Sequence, residues 1–378
     1  MNILMHCIYF PPEVGGLESH VYYLCRKLAA LGHRVDIVTS RSRPDLPERE
    51  EVEGVGVWRT WFPARNPAGW AAHALGSIPT VRRLAAEADV IHAQAFASVL
   101  PGMAGRRIRG APLVATWHTS HFLMRAESGI WRPTFRWMLR GTDRNLAASA
   151  EIAAVGEAVA PGVRVEALTN GVETEIFRPV DPALPPPPPG RRRILVPRRL
   201  FPKNGVEYAI RALPRIRESH DVEMVMVGDG PERERLERLA GELGLGDTAR
   251  FLGARPNAEM PGLLCSGELA VFPSLMEATS VAALECMSCQ IPVAASRVGG
   301  LPEIVDDEVG ALFAPADPED LARAVSRLLE DPGLQDRGRT GRARVVEAWS
   351  NERLAHRHLE IYEELVAGRP TPASRARP

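Results

Sequence analysis

The sequence predicts an α/β protein of two doubly wound, parallel-sheet domains, and three observations carry that prediction. Its 378 residues are enough for two domains that each bury a core. The N-terminal stretch runs strand, glycine loop, helix, strand, the repeating unit of a parallel sheet. A proline run at 185–189 then precedes a new strand at Ile194, and the alternation restarts.

Composition removes several function classes. Hydrophobic residues make up 45% and charged residues 25%, as in ordinary soluble proteins. A net charge of −1 gives no global attraction to nucleic acid or an anionic membrane. No apolar run approaches the roughly 20 residues that span a bilayer. Met1–Phe10 lacks a basic leader and is too short for a signal peptide, so it is expected to be a strand. The five cysteines, Cys7, Cys25, Cys265, Cys286 and Cys289, are odd in number in a large chain. That argues against a disulfide framework and for a reducing, cytoplasmic compartment. Cys286 and Cys289 form a lone C-x-x-C with no second pair, which fits two small helix residues better than a metal site.

Residues 3–10 read as the first strand, followed by the loop Pro11–Gly16. Val21, Leu24, Leu28 and Leu31 mark one face of a helix ending near Gly32, and Val35–Thr39 is the second strand. Gly15 and Gly16 would let backbone approach a ligand at the strand's carboxyl end. The loop is not G-x-G-x-x-G, which argues against a dinucleotide oxidoreductase. Asp89–Ala93 and Pro112–Thr119 read as further strands. His118 follows an apolar strand end, where a side chain is either a satisfied core group or a site residue; His92 is taken as structural. In Trp131–Arg140, Pro133 would open a helix with Trp131, Phe135, Met138 and Leu139 on one stripe and Arg132, Arg136 and Arg140 beside it. Such a helix docks on its own sheet or touches an anionic lipid or phosphorylated acceptor. Asn145–Ser149 is the next strand, with a helix to about 159. The five prolines favour an extended spacer. The expected layout is a first domain at 1–178, a linker at 179–192, a second domain at 193–349, a helix at 350–366 and a disordered tail at 367–378.

The second domain opens with Ile194–Pro197 and a loop carrying Arg198, Arg199 and Lys203. Cations there would neutralise a diphosphate, or form an exposed basic turn; Arg191–Arg193 read as a solvated charge run. Val222–Val227 leads into Gly228-Asp229-Gly230, again without a third glycine (Arg233), and Arg250–Gly253 is a short strand. The strand ending at Phe272 breaks at Pro273 and Ser274, and Ser280 can cap a helix through Val281, Leu284 and Met287. The amides after Ser280 form an anion site. Glu277 and Glu285, eight residues apart, bracket that turn. Glu285 can accept hydrogen bonds from paired hydroxyls, and Glu277 can reach a group beyond the anion. Glutamates are also simply solvated in most proteins. A helix from Pro318 to about Glu330 follows.

Several of these motifs together resemble the retaining glycosyltransferases of family 4. They are Pro11-Pro12-x-x-Gly15-Gly16-x-Glu18-x-His20-Val21, with Gly32-His33; Asn170-Gly171-Val172 before Phe177-Arg178-Pro179; the Glu277…Glu285 pair, as in that family's EX7E signature, with Pro273-Ser274 before it and Leu284-Glu285-Cys286-Met287 at its end; and Trp349-Ser350 near the C-terminus. The resemblance covers about residues 2–366. It implies a GT-B fold, two Rossmann-like domains facing across a cleft, with the helix at 350–366 packing back on the first. It implies that the second domain binds a UDP- or GDP-sugar and that the first binds a hydroxyl acceptor, lipid-linked glycans included. It further implies glycosyl transfer with retention and no required metal or cofactor. Arg199 (or Arg198), Lys203 and the amides after Ser280 would hold the departing diphosphate. Glu285 would hold the ribose, and Glu277 and His118 the sugar. Gly15, Gly16, Thr279 and Val281 complete the implied donor site. Nucleic acid is not an expected partner; peripheral contact at the inner face of a membrane rests on the Trp131–Arg140 pattern alone, beside the reading in which that helix docks on its own sheet. A GT-B sugar-nucleotide epimerase and a non-catalytic nucleotide-sugar-binding protein are the alternatives.

Overall fold

A computed structural model describes residues 1–13, 15–118 and 120–368, apart from the side chains of Ser120 and His121. The expected tail lies almost wholly outside them. The chain divides into two compact units, Met1–Thr169 with the residues from Asn351 on, and Asn170–Ser350. Both are α/β with parallel sheets.

The first unit begins β1 (Asn2–His6), α1 (Gly16–Ala30), β2 (Arg34–Ser40), β3 (Arg49–Val52), β4 (Val55–Thr60) and α2 (Pro67–Leu84). Next come β5 (Val90–Gln94), α3 (Val99–Arg109), β6 (Leu113–Trp117), α4 (Ser120–Ala126) and α5 (Trp131–Arg140). β7 (Arg144–Ala147), α6 (Ala150–Val159) and β8 (Val165–Ala167) complete it. Among the described residues the sheet has eight strands, in the order β3-β4-β2-β1-β5-β6-β7-β8. Only β3 runs antiparallel. Every residue of β5 and β6 is buried, as in sheets covered on both faces. β1 stops at His6, short of the expected residue 10. Cys7 N–H still reaches Val38 O and Ser40 N–H reaches Ile8 O, but Pro11 and Pro12 offer no N–H to continue. In α5, Phe135, Met138 and Leu139 are buried, so the helix docks on its own unit.

The second unit contains β9 (Arg192–Val196), α7 (Val206–Arg217), β10 (Val222–Met226), α8 (Arg233–Glu242) and β11 (Ala249–Phe251). α9 (Met260–Leu264), β12 (Leu269–Phe272), α10 (Val281–Ser288), β13 (Val293–Ser296) and α11 (Leu301–Ile304) follow. β14 (Gly310–Phe313), α12 (Pro318–Glu330) and α13 (Leu334–Ala348) close it. The sheet order is β11-β10-β9-β12-β13-β14, all parallel. Chain progress turns in opposite directions on either side of the β9–β12 pair, so their carboxyl ends form a topological switch point, where open sheets bind ligands.

The proline run does not mark the passage between units. The chain enters the second unit at Asn170, and the run lies along it. Ala183 N–H donates to Gly262 O at 2.9 Å and Arg193 Nη2 to Pro185 O at 2.8 Å. Arg193 is no solvated charge either. β9 and β10 place it opposite Glu223, and the two pair at 2.5 Å with side chains 2% and 5% exposed.

The last helix, α14 (Asn351–Ala367), belongs to the first unit and packs against α1. It buries Leu354, His358, Leu359 and Tyr362. Among the described residues no helix is long and apolar enough to cross a membrane.

Candidate functional site

The loops leaving β9 and β12 emerge side by side and are laced together. Leu275 N–H donates to Lys203 O at 2.8 Å, and Ser296 Oγ, at the end of β13, donates to Ser274 O at 2.6 Å. Two glycines permit the close approach. Gly205 has φ 61, and a Cβ there would lie 2.0 Å from Pro273 O. Gly299 has φ 54, and its Cβ would lie 1.6 Å from Glu277 O. No other residue fits either position without moving the loop.

Arg198 sits at the centre. Its Nη2 donates to Glu277 Oε2 at 2.5 Å and to Asn204 Oδ1 at 2.8 Å, and Nη1 makes a long 3.4 Å contact to Ser280 Oγ. The guanidinium carbon lies 5.6 Å from the Phe272 ring centroid. The Arg198 and Glu277 side chains are 10% and 14% exposed, and the buried Arg198 Nε–H has no hydrogen-bond partner among the described residues. Such a desolvated ion pair is costly unless further hydrogen bonds complete it. An unsatisfied buried donor marks a place where an acceptor belongs.

Ser280 caps α10 by accepting from Ala283 N–H at 3.3 Å. Val281 opens that helix, whose first amides carry the partial positive charge of a helix N-terminus. Thr279 is half-buried just before it. Glu285 lies further along α10, half-buried, and burial pushes its carboxyl up to about 8. At neutral pH it therefore holds a proton for most of the time.

Arg199, favoured from the sequence, is not in this cluster. It is exposed, with its guanidinium 5.5 Å from the Phe201 ring. Alternation explains this. Leu200 is fully buried, with its N–H on Asp229 O, so its neighbour points out while Arg198 faces the same way as Glu277. Lys203 is exposed as a residue, yet its ammonium is partly shielded. Desolvation lowers it below the ordinary value, Glu277 opposes that shift, and Arg199 and Arg198 add to it. Asn204, which the sequence left without a role, is 3% exposed and joins Arg198 Nη2 to Arg199 O through its Oδ1 and Nδ2.

In the first unit, the loop before α1 and His118 share the carboxyl edge of parallel neighbours, since β1, β5 and β6 are adjacent. His118 is 6% exposed and pairs through Nε2 with Gln94 Oε1 at 2.6 Å. Its ring lies 4.9 Å from that of His20 in α1. His92 is fully buried, with Nδ1 at 2.6 Å from the Tyr362 hydroxyl and Nε2 at 2.7 Å from Thr116 Oγ1. Burial keeps His20 and His92 well below the usual imidazole range, so both are neutral. Neither Gly15 nor Gly16 is demanded by the fold. Gly15 has an extended φ of 175, and a Cβ on Gly16 would meet nothing within 4 Å. Gln94 had no sequence signal beyond its place at a strand end. Among the described residues no group of three or more His, Cys, Asp or Glu side chains is placed to hold a metal ion.

Residues 14–176 match the family model described as Glycosyltransferase Family 4, and residues 179–344 match the one described as Glycosyl transferases group 1. The chain is 30% identical over 402 residues to the MMP alpha-(1->4)-mannosyltransferase of Mycolicibacterium hassiacum, covering 93% of this chain and 95% of that protein. It is 28% identical over 340 residues to the phosphatidylinositol N-acetylglucosaminyltransferase GPI3 subunit of Saccharomyces cerevisiae, covering 87% of this chain and 75% of that one. Among solved structures it resembles Anabaena HepE in complex with UDP-glucose, with a TM-score of 0.74, 18% identity, and 96% and 100% of the two chains covered. With its two parallel-sheet units and a relative matched almost end to end, the chain belongs to the family 4 glycosyltransferases and is a glycosyltransferase of the GT-B fold.

Proposed function

We propose that this enzyme moves a sugar from a UDP- or GDP-sugar to a hydroxyl acceptor, with retention of configuration and without a bound metal. The observation that carries this is the desolvated Arg198 beside the capped N-terminus of α10, at the switch point of the second unit. That pairing suits a diphosphate. Arg198, the α10 amides and Lys203 would stabilise the leaving group, a role in which one preorganised donor is commonly worth about 3 kcal/mol. Glu285, on the same helix, would take the ribose hydroxyls. Glu277 and His118 would hold the sugar. The HepE complex with UDP-glucose supports a nucleotide-sugar donor on this fold. Glu277 is committed to the Arg198 ion pair rather than free to form a covalent sugar ester, so the acceptor would attack from the face the diphosphate leaves, with a phosphate oxygen taking its proton.

The first unit would bind the acceptor. Its α4–α5 surface exposes Met124, Ile130, Trp131 and Trp137 near Arg132 and Arg140. Apolar and aromatic groups interleaved with cations suit the inner face of a membrane and a lipid-linked acceptor. A relative whose name carries phosphatidylinositol as substrate agrees with that choice.

The test is a metal-free donor screen with UDP-, GDP- and ADP-sugars, reading thermal shift and released diphosphate for wild type and Glu285→Ala. One donor should stabilise the wild type and be slowly hydrolysed, with both effects lost in the variant. Binding without release would favour a non-catalytic protein, and a changed nucleotide sugar without acceptor would favour an epimerase. A stable glycosyl-enzyme caught by mass spectrometry would overturn the same-face attack.

A further inference from the structure

We propose that Asn204 is a positioning residue for the diphosphate: it holds Arg198 in place without charge, so that the guanidinium stays presented when Glu277 turns to the sugar. This rests on the reading of the second unit as the diphosphate site. Three observations support it. Asn204 is buried at a loop end that Gly205 fixes, so its amide has little freedom. Its Oδ1 accepts from Arg198 Nη2 at 2.8 Å while its Nδ2 is anchored on Arg199 O at 2.6 Å, which locks the amide's orientation. Among the described residues Arg198 Nε–H has no partner and Nη1 has only the long Ser280 contact, so donors remain for an oxyanion while Nη2 is held.

The chemistry of the holder matters. Glu277 and a phosphate compete for the same cation, because both are anions. A neutral amide does not compete, and it leaves the full positive charge for the ligand. An aspartate at 204 would keep the acceptor but cancel the charge. An alanine would free Arg198 to move with Glu277.

The experiment is a double-mutant cycle read by calorimetry with UDP and GDP, and by NMR with uridine and guanosine. The variants are Asn204→Ala, Asn204→Asp, Arg198→Gln and Asn204→Ala with Arg198→Gln. Asn204→Ala should weaken the better diphosphate about tenfold and leave the nucleoside within about twofold. Asn204→Asp, nearly isosteric, should weaken the diphosphate at least as much. On the Arg198→Gln background, Asn204→Ala should cost nothing further. Equal losses for nucleoside and diphosphate, or additive losses in the cycle, would overturn the positioning role. If the wild type binds neither diphosphate, the reading of the site itself fails. Thermal unfolding of each variant separates a loop that no longer folds from one that no longer positions, since only the former lowers nucleoside affinity as well.

Discussion

The two candidate regions solve opposite electrostatic problems. In the second unit opposite charges are paired: Arg198 and Glu277 meet at 2.5 Å with about a tenth of each side chain exposed. In the first unit the groups around His118 are kept neutral by deep burial, with His92 tied to Thr116 and Tyr362 and His20 packed between His118 and His358. A leaving diphosphate needs positive charge. A sugar needs directional neutral acceptors and donors that do not attract stray ions. On the proposed reading one fold would supply both, because the switch point of the second unit opens onto a cation-rich loop and the first unit gathers buried imidazoles from β5, α1, α14 and the end of β6.

Breaking the charged region should have the largest effect. Arg198→Gln leaves the half-buried Glu277 beside a neutral partner and, on the proposed reading, removes the central diphosphate donor. Turnover should fall by about two to three orders of magnitude, and diphosphate affinity by a smaller factor. Steady-state and binding measurements on one preparation test this; a loss under about tenfold would shift the role to Lys203 and the helix amides.

The neutral region should break with acid. His358 is lowered to about 4 by burial, and His92 and His20 lie well below their ordinary range, with neither ring nitrogen of His20 hydrogen-bonded among the described residues. A histidine whose folded value is depressed binds fewer protons folded than unfolded. Its stabilisation is therefore present above about 6.5 and is lost as pH falls toward the folded value. For His358 alone the loss between about 6.5 and 4 is on the order of 3 kcal/mol. Unfolding followed across that range should show the first unit melting before the second. A single coincident transition at every pH would contradict the contrast.

Glu285 sharpens the comparison, since it is a neutral acid inside the charged unit. Burial raises it to about 8, so its proton favours the fold at low pH, and that contribution declines between about 4.5 and 8 as pH rises. Ribose hydroxyls donate best to the carboxylate, so diphosphate binding near pH 7 should release most of one proton. Affinity should rise up to about tenfold per pH unit below 8. Calorimetry in buffers of different ionisation enthalpy measures the proton, and Glu285→Gln should abolish the release. Release that persists in that variant would assign the proton elsewhere.

Local patterns made the parallel sheets and the helix cap legible. The strand–glycine loop–helix opening, the Pro273-Ser274 break and the Ser280 cap are all nearest-neighbour signals. What stayed hidden depended on partners distant in sequence or on register. The β3–β4 hairpin turns at Glu53-Gly54, both at positive φ, where the recognisable residue would have been Asn or Asp. Arg193 looked solvated because Glu223, thirty residues on, faces it only once β9 and β10 pair. Gln94 and Asn204 act through the side chains they hold, and no spacing announces that.

The smallest effect is the most discriminating, because Arg198 and Arg199 are adjacent and chemically identical. Arg199 is exposed and stacks over Phe201, so water and salt screen its charge more than they screen that of the desolvated Arg198. Arg199→Gln should change diphosphate affinity by no more than about twofold at physiological salt, and by somewhat more at low salt. Arg198→Gln should differ from it by the whole contribution of a desolvated, hydrogen-bonded cation. If the two variants lost equal affinity, the loop would be acting through net charge alone. The alternation that buries Leu200 and turns Arg198 toward Glu277 would then have no functional consequence.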